Sequence, residues 1–269
     1  IRLRGLQRGG RLMADIGFID ESSGRTLPGA GLGWLDAKRD AGRARFGALG
    51  LPTPKLESWK YTRLRPLDDT KFAPVSDAAG EAKIDKVPGL SGSAAKIVFV
   101  NGRLRTDLSK LDDLPDGVRF ASLETMLAED PAWLEANMGK VAGDAPVRAG
   151  GTGEQAMLAL NEAMMDSGFI LHVAKGVALK APLEVIYIGG LTDDAVAYFP
   201  RNLIVLEENA QATLVKQHIG HSVGEYFANA VMEISLKQGA NFKYYKMQAE
   251  SIYATHVTTL HADIARDAT

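Results

Sequence analysis

From Gly168 onward, apolar positions alternate with a period of two, the spacing of strands with one buried face. Just upstream, from Glu154 to Ser167, they fall at helical spacing instead. Four stretches of the alternating region align: His172-Val-Ala-Lys-Gly-Val-Ala178, Val205-Leu-Glu-Glu-Asn-Ala-Gln211, Ser235-Leu-Lys-Gln-Gly-Ala-Asn241 and Asp263-Ile-Ala-Arg-Asp-Ala-Thr269. Each carries a branched apolar residue in second place (Val173, Leu206, Leu236, Ile264) and then a small apolar residue in sixth (Val177, Ala210, Ala240, Ala268). In fifth place stand Gly176, Asn209, Gly239 and Asp267, the residue types that tolerate a left-handed backbone. Stepping back by two gives Leu171, Ile204, Ile234 and Ala262; by four, Phe169, Asn202, Met232 and Leu260.

The second-place residues are separated by 33, 30 and 28 positions. A strand, a corner needing positive φ and a second strand, repeated once per coil, account for this pattern. Such coils bury their inner faces only by stacking. An antiparallel meander is the competing architecture. It has no reason to repeat the corner chemistry, and the coil is too long for a hexapeptide solenoid. The helix at 154–167 is expected to cap the first coil. Thr269 falls directly after a corner, so the chain reads as a solenoid incomplete at its C-terminal end.

Upstream, residues 34–49 have helical spacing, with Gly50 as stop and Pro52 and Pro54 beyond. Gly50 to Thr62 reads as an extended or turn segment, with Trp59 and Tyr61 expected to plug a joint and Lys60 to remain solvated. Residues 75–95 read as a loop. Ile97-Val-Phe-Val100 followed by Asn101-Gly102 predicts a strand and a tight turn. Phe120 to Leu127 is expected to begin a helix. Asp130-Pro131 starts another, as N-cap and first-turn proline, running to about Met138. The fold class is therefore mainly β, a right-handed parallel β-helix over 151–269 preceded by a mostly α-helical region over 13–150. Residues 1–12, with four arginines and three glycines, read as a leader outside the fold.

Composition narrows the function. The net charge of −2 leaves no electrostatic footprint for nucleic acid. No apolar run nears the roughly 20 residues of a membrane span. A cytoplasmic protein follows as the expectation. The absence of cysteine excludes disulfides, thiolate nucleophiles and cysteine-held zinc or clusters within these residues.

Glu57-Ser-Trp-Lys-Tyr-Thr62 with Leu64, the run Gly168-Phe-Ile-Leu-His-Val-Ala-Lys-Gly-Val177 with Ala181-Pro-Leu183, and Arg201-Asn-Leu-Ile-Val-Leu206 resemble the SufB/SufD family of iron–sulfur cluster assembly proteins over about residues 30–269. The Trp-Lys-Tyr-Thr segment places the resemblance nearer SufD than SufB. The resemblance implies a β-helix behind a helical region, and a complex with a SufB homologue and the ATPase SufC, in which iron or a transient Fe–S cluster is handled by the whole assembly. The family's SufC-binding helices and interface His and Cys positions lie toward the C-terminal end. No catalytic or metal residue is carried over to this chain.

Other candidates are weaker. His218 and His221 flank Ile219-Gly220, with Glu225 as the nearest further ligand, and solvated histidines are the commoner outcome. His256 and His261 are five apart in one strand and point to opposite faces. Glu207 and Glu208 face opposite ways beside the Asn209 corner, a poor dyad. Phe242 and Tyr244 fit an inward alternation better than an aromatic-basic surface with Lys243, Tyr245 and Lys246. No Walker, Rossmann, His-Glu-x-x-His or Gly-x-Ser-x-Gly pattern is present, and the glycines at 149–153 lack the lysine of a phosphate loop. Two functions follow: a non-catalytic assembly scaffold of the SUF system, and, as the alternative, a polysaccharide-active β-helix enzyme or purely structural solenoid.

Overall fold

The corner residues set the architecture. Gly176, Asn209, Gly239 and Asp267 all adopt positive φ, at 72°, 58°, 70° and 61°. The strands that they terminate stack in parallel. The computed structural model describes residues 26–76, 84, 87–111, 114–143, 152–221 and 223–269. The leader expected at residues 1–12 lies outside these, as do most of the glycines at 149–153. In chain order the elements begin with α1 (Gly33–Leu49), α2 (Arg65–Asp69), β1 (Ala73–Pro74), β2 (Ala95–Val100), β3 (Arg103–Leu104) and β4 (Val118–Ser122). Then come α3 (Leu123–Glu129), α4 (Pro131–Asn137), α5 (Thr152–Met164), β5 (Phe169–Val173), β6 (Leu183–Gly189), β7 (Val196–Tyr198) and β8 (Arg201–Leu206). The last are β9 (Gln211–Gly220), β10 (Tyr226–Leu236), β11 (Asn241–Ala249) and β12 (Ala254–Ile264).

One sheet stacks β5, β8, β10 and β12 in parallel; the other stacks β2, β6, β9 and β11. The chain is mainly β, with a solenoid of about three turns in its C-terminal part. The aligned positions form true columns: Val173 pairs with Leu206, Leu206 with Leu236 and Leu236 with Ile264. The lumen near the corners is filled by Val173, Leu206 and Leu236 together with Leu171, Ile204, Ile234, Leu183 and Leu214, whereas Ile264 of the last coil is 57% exposed. Asn202, the polar member of the inward columns, accepts from Tyr187 Oη at 2.8 Å and from the Phe169 amide at 3.2 Å.

Strands from before residue 150 take part in both sheets. β2 pairs with β6 in parallel, and β4 covers the edge of β5 in antiparallel register. Asn101 and Gly102 turn the chain from β2 into β3 with φ of 48° and 79°, as the Asn-Gly signal predicts. The segment expected to start a helix at Phe120 divides instead. Phe120 belongs to β4, and the helix begins at Leu123 because Ser122 caps it, its Oγ accepting from Thr125 N at 3.0 Å. Asp130 caps α4 in the same way, at 3.1 Å from Trp133 N.

Helix α5 does not close the first coil. It lies along the outer face of the β5–β12 sheet, where Ala156, Leu160 and Ala163 pack with Phe199 and Phe227. Asn161 Nδ2 donates there to the carbonyls of Pro200 and Asn229. Its apolar stripe matches the outward phenylalanines and not the lumen. α1 crosses α5 closely at Gly42, where a Cβ would lie 2.7 Å from the Ala163 amide nitrogen. Trp59 joins this layer, but Tyr61 is 91% exposed with Lys60 over its ring, so it does not plug the joint.

Between the sheet and the helical layer lies a fully buried ion pair. Arg201 Nε and Nη2 donate to Glu233 Oε1 at 3.0 and 2.5 Å. Glu233 also accepts from the amides of Gly139, Val141 and Ala142 at 2.9–3.2 Å. Burial alone would raise its carboxyl, but the Arg201 charge and these amides hold it below the usual carboxylate range.

Candidate functional site

The lumen changes character along its width. On β9 the inward alternation runs Ala212, Leu214, Lys216, His218; on β11 it runs Phe242, Tyr244, Lys246, Gln248. Register places Lys216 between Val185 and Lys246, and His218 between Tyr187 and Gln248. Apolar columns of the first coil thus become polar in the next two. Facing them on β12 are His256 and Thr258, in register with Ala228 and Ala230 of β10. The small alanines leave room for the His256 ring, whose centroid lies 4.4 Å from that of His218. The stack continues through Tyr187, 5.1 Å from His218, to Phe99, 4.8 Å further on.

Glu250 enters from the turn between β11 and β12. Gly220 makes the entry possible: a Cβ there would lie 2.1 Å from Ser251 N and 2.8 Å from the Glu250 carbonyl carbon. The turn therefore packs onto the end of β9. The Glu250 carboxylate accepts from Tyr226 Oη at 3.0 Å and Gln248 Nε2 at 2.9 Å, and its Oε2 is 2.7 Å from His256 Nδ1. A carboxylate only accepts, so His256 carries its proton on Nδ1. His256 Nε2 then accepts from Thr258 Oγ1 at 2.5 Å, and Thr258 in turn accepts from Lys246 Nζ at 3.2 Å.

Two members of the cluster lack such partners. Among the described residues, neither nitrogen of His218 nor Lys216 Nζ makes a hydrogen bond, although both residues are 1% exposed or less. Burial, with the nearby Lys216 charge, pushes the His218 imidazole far below its ordinary value, so it is neutral. Burial and Lys246 bring the Lys216 amine down to about 7. Burial also lowers His256 against the opposing pull of Glu250. For Glu250, burial is outweighed by the hydrogen bond from His256, and the carboxyl stays below its usual range. One nitrogen from each histidine and one Glu250 oxygen lie within 4.8 Å of one another.

The histidine pair suggested by sequence is not brought together. His218 points into the lumen, while His221 lies exposed past the strand end. Glu225 accepts from Thr70 Oγ1 and takes no part. His256 and His261 do face opposite ways; His261 is near Glu154, at 3.7 Å. Glu207 and Glu208 stand beside His172 and Lys175 at the corner, at 3.4 and 3.6 Å. The trio of His218, Glu250 and His256 is partly legible in the sequence. If Leu260, Ala262 and Ile264 point inward, so do His256 and Thr258, and Leu214 sets the same parity for Lys216 and His218. Glu250 carries no such signal, because a turn has no period.

Comparisons with known proteins agree with this architecture. Residues 25–185 match the model of the SufBD protein N-terminal region, and residues 189–269 that of the SUF system FeS cluster assembly SufBD core domain. The division falls within β6. An iron–sulfur cluster assembly SufBD family protein of Synechocystis is 25% identical over 235 residues, 82% of this chain and 49% of its own length. The iron–sulfur cluster assembly protein SufD of Escherichia coli is 25% identical over 222 residues, 82% of this chain and 48% of its own; that of Bacillus subtilis is 24% identical over 192 residues. The chain spans about half the length of the curated relatives it matches. With consecutive family models laid along the same solenoid, the chain belongs to the SufBD family of the SUF iron–sulfur cluster assembly system.

Proposed function

We propose that the chain is a non-catalytic scaffold subunit of the SUF assembly machinery, working in the cytoplasm in a complex with a SufB homologue and the ATPase SufC. The observation that carries this reading is the match of both SufBD models, in order, along one parallel solenoid. The helical layer covers the outer face of one sheet, and on the other sheet the outward Tyr245 and Met247 of β11 are exposed and accessible to a partner. These residues supply no cysteine, so thiolate ligands for a cluster come from other chains or from residues beyond this sequence. Among the described residues no helix is long and apolar enough to cross a membrane.

Co-expression of the full-length protein with tagged SufB and SufC homologues tests the proposal. Co-elution of all three under reducing, low-salt conditions is expected. Elution of the protein alone, with the other two still paired, would overturn the scaffold role.

A further inference from the structure

We infer that His218, Glu250 and His256 form a binding site for a single first-row transition-metal ion inside the solenoid lumen. The site stands on its own geometry and does not depend on the assembly reading. Two imidazoles and one carboxylate are the donor set of zinc and non-haem iron(II) centres, and their nitrogen-rich character selects against Mg²⁺ and Ca²⁺. Metal–ligand bonds of about 2.0–2.2 Å place two donors of one ion roughly 3–4 Å apart. Donor atoms already within 4.8 Å reach that spacing by rotating side chains, without moving strands.

The partners of each donor fit this assignment. His218 is 1% exposed, and both of its nitrogens lack a hydrogen-bond partner among the described residues. A buried imidazole in that state has forgone its desolvation compensation, and a coordinate bond restores it. His256 and Glu250 are held by the outer partners that metal ligands characteristically have: Thr258 Oγ1 on one, Tyr226 Oη and Gln248 Nε2 on the other. An ion that binds His256 through Nδ1 selects the other neutral tautomer: the proton moves to Nε2, which then donates to Thr258 Oγ1, and the imidazole stays neutral. Lys216 and Lys246 face the same space and oppose a cation. The charge balance therefore favours a neutral-imidazole site of moderate affinity over a high-charge carboxylate cage.

The test is titration of the purified full chain, without partners, with Co²⁺ followed by visible absorption and with Zn²⁺ followed by calorimetry. One ion per chain is expected, undisturbed by millimolar Mg²⁺. His218→Ala and Glu250→Gln should each weaken binding by about 10–100-fold or more, whereas His221→Ala, at the exposed histidine, should leave it unchanged. Circular dichroism checks that the variants fold. As a second measurement, Zn²⁺ at about 100 times its wild-type Kd should raise the wild-type melting temperature by roughly 5–10 °C and that of Glu250→Gln by about half of that or less. Absence of a one-to-one ion in the wild type, equal binding by His218→Ala, or displacement by Mg²⁺ would overturn the site. Loss of SufB or SufC binding would not touch it.

Discussion

Two clusters of charge are buried in this molecule, one on each side of the same sheet, and they are built oppositely. Outside the sheet, Arg201 and Glu233 saturate each other, and three backbone amides complete the carboxylate. Inside it, Lys216 and His218 are as deeply buried but, among the described residues, leave donors and acceptors unanswered. Burial of a charge is tolerable when its hydrogen bonds are complete, and unfavourable when they are not. The first cluster fastens the helical layer to the solenoid through the 139–142 segment. The second opposes stability where it stands. Saturation, more than charge or depth, separates a structural fastening from a candidate site.

The sharpest way to break this contrast is to unpair the outer cluster. Arg201→Ala leaves Glu233 buried and alone, and should lower unfolding free energy by about 3–5 kcal/mol in a denaturant titration. The same pair has a pH signature. The folded carboxyl of Glu233 is held below its ordinary 4.5, so its stabilisation is complete above that pH and is lost as pH falls through the lower folded value. Glu233→Gln should therefore be less stable than wild type at pH 7, and the gap should narrow toward pH 3. A gap that stays constant would deny the pair its role.

The inner cluster should respond in the other direction. Lys216→Met keeps the length of the side chain and removes an amine that makes no hydrogen bond. It is expected to raise unfolding free energy by about 1–3 kcal/mol at pH 7, despite the loss of its weak contact with the Tyr244 ring at 5.9 Å. The smallest effect belongs to His218→Phe. The aromatic stack on Tyr187 survives, the unanswered nitrogens disappear, and the stability should move by less than about 1 kcal/mol. Equal losses from Lys216→Met and Arg201→Ala would erase the distinction between the clusters.

Much of this organisation is legible in the chain itself. Gly176, Asn209, Gly239 and Asp267 announce the coils because only certain residues accept positive φ cheaply, and the column Val173–Leu206–Leu236–Ile264 follows from the alternation beside them. What eludes a linear reading is whatever depends on contact between coils. Nothing local says that Tyr187 stacks on His218, that Ala228 makes space for His256, or that Gly220 admits Glu250. The pairing of His218 with His221 fails for a local reason: three residues apart near a strand end, one side chain faces the lumen and the other the solvent. The placement of α5 also escapes the sequence, because its apolar stripe says that it is covered but not by which surface.

The order of the strands has a consequence for how the protein is made. In the lumen-lining sheets every strand from β5 onward lies beside one that precedes it in the chain: β6 on β2, β8 on β5, β9 on β6, β10 on β8, β11 on β9, β12 on β10. A polypeptide leaving the ribosome N-terminus first, at about 5–20 residues per second, thus meets each template already folded. Synthesis and winding can proceed at one pace, and no strand has to wait for a partner that is still untranslated.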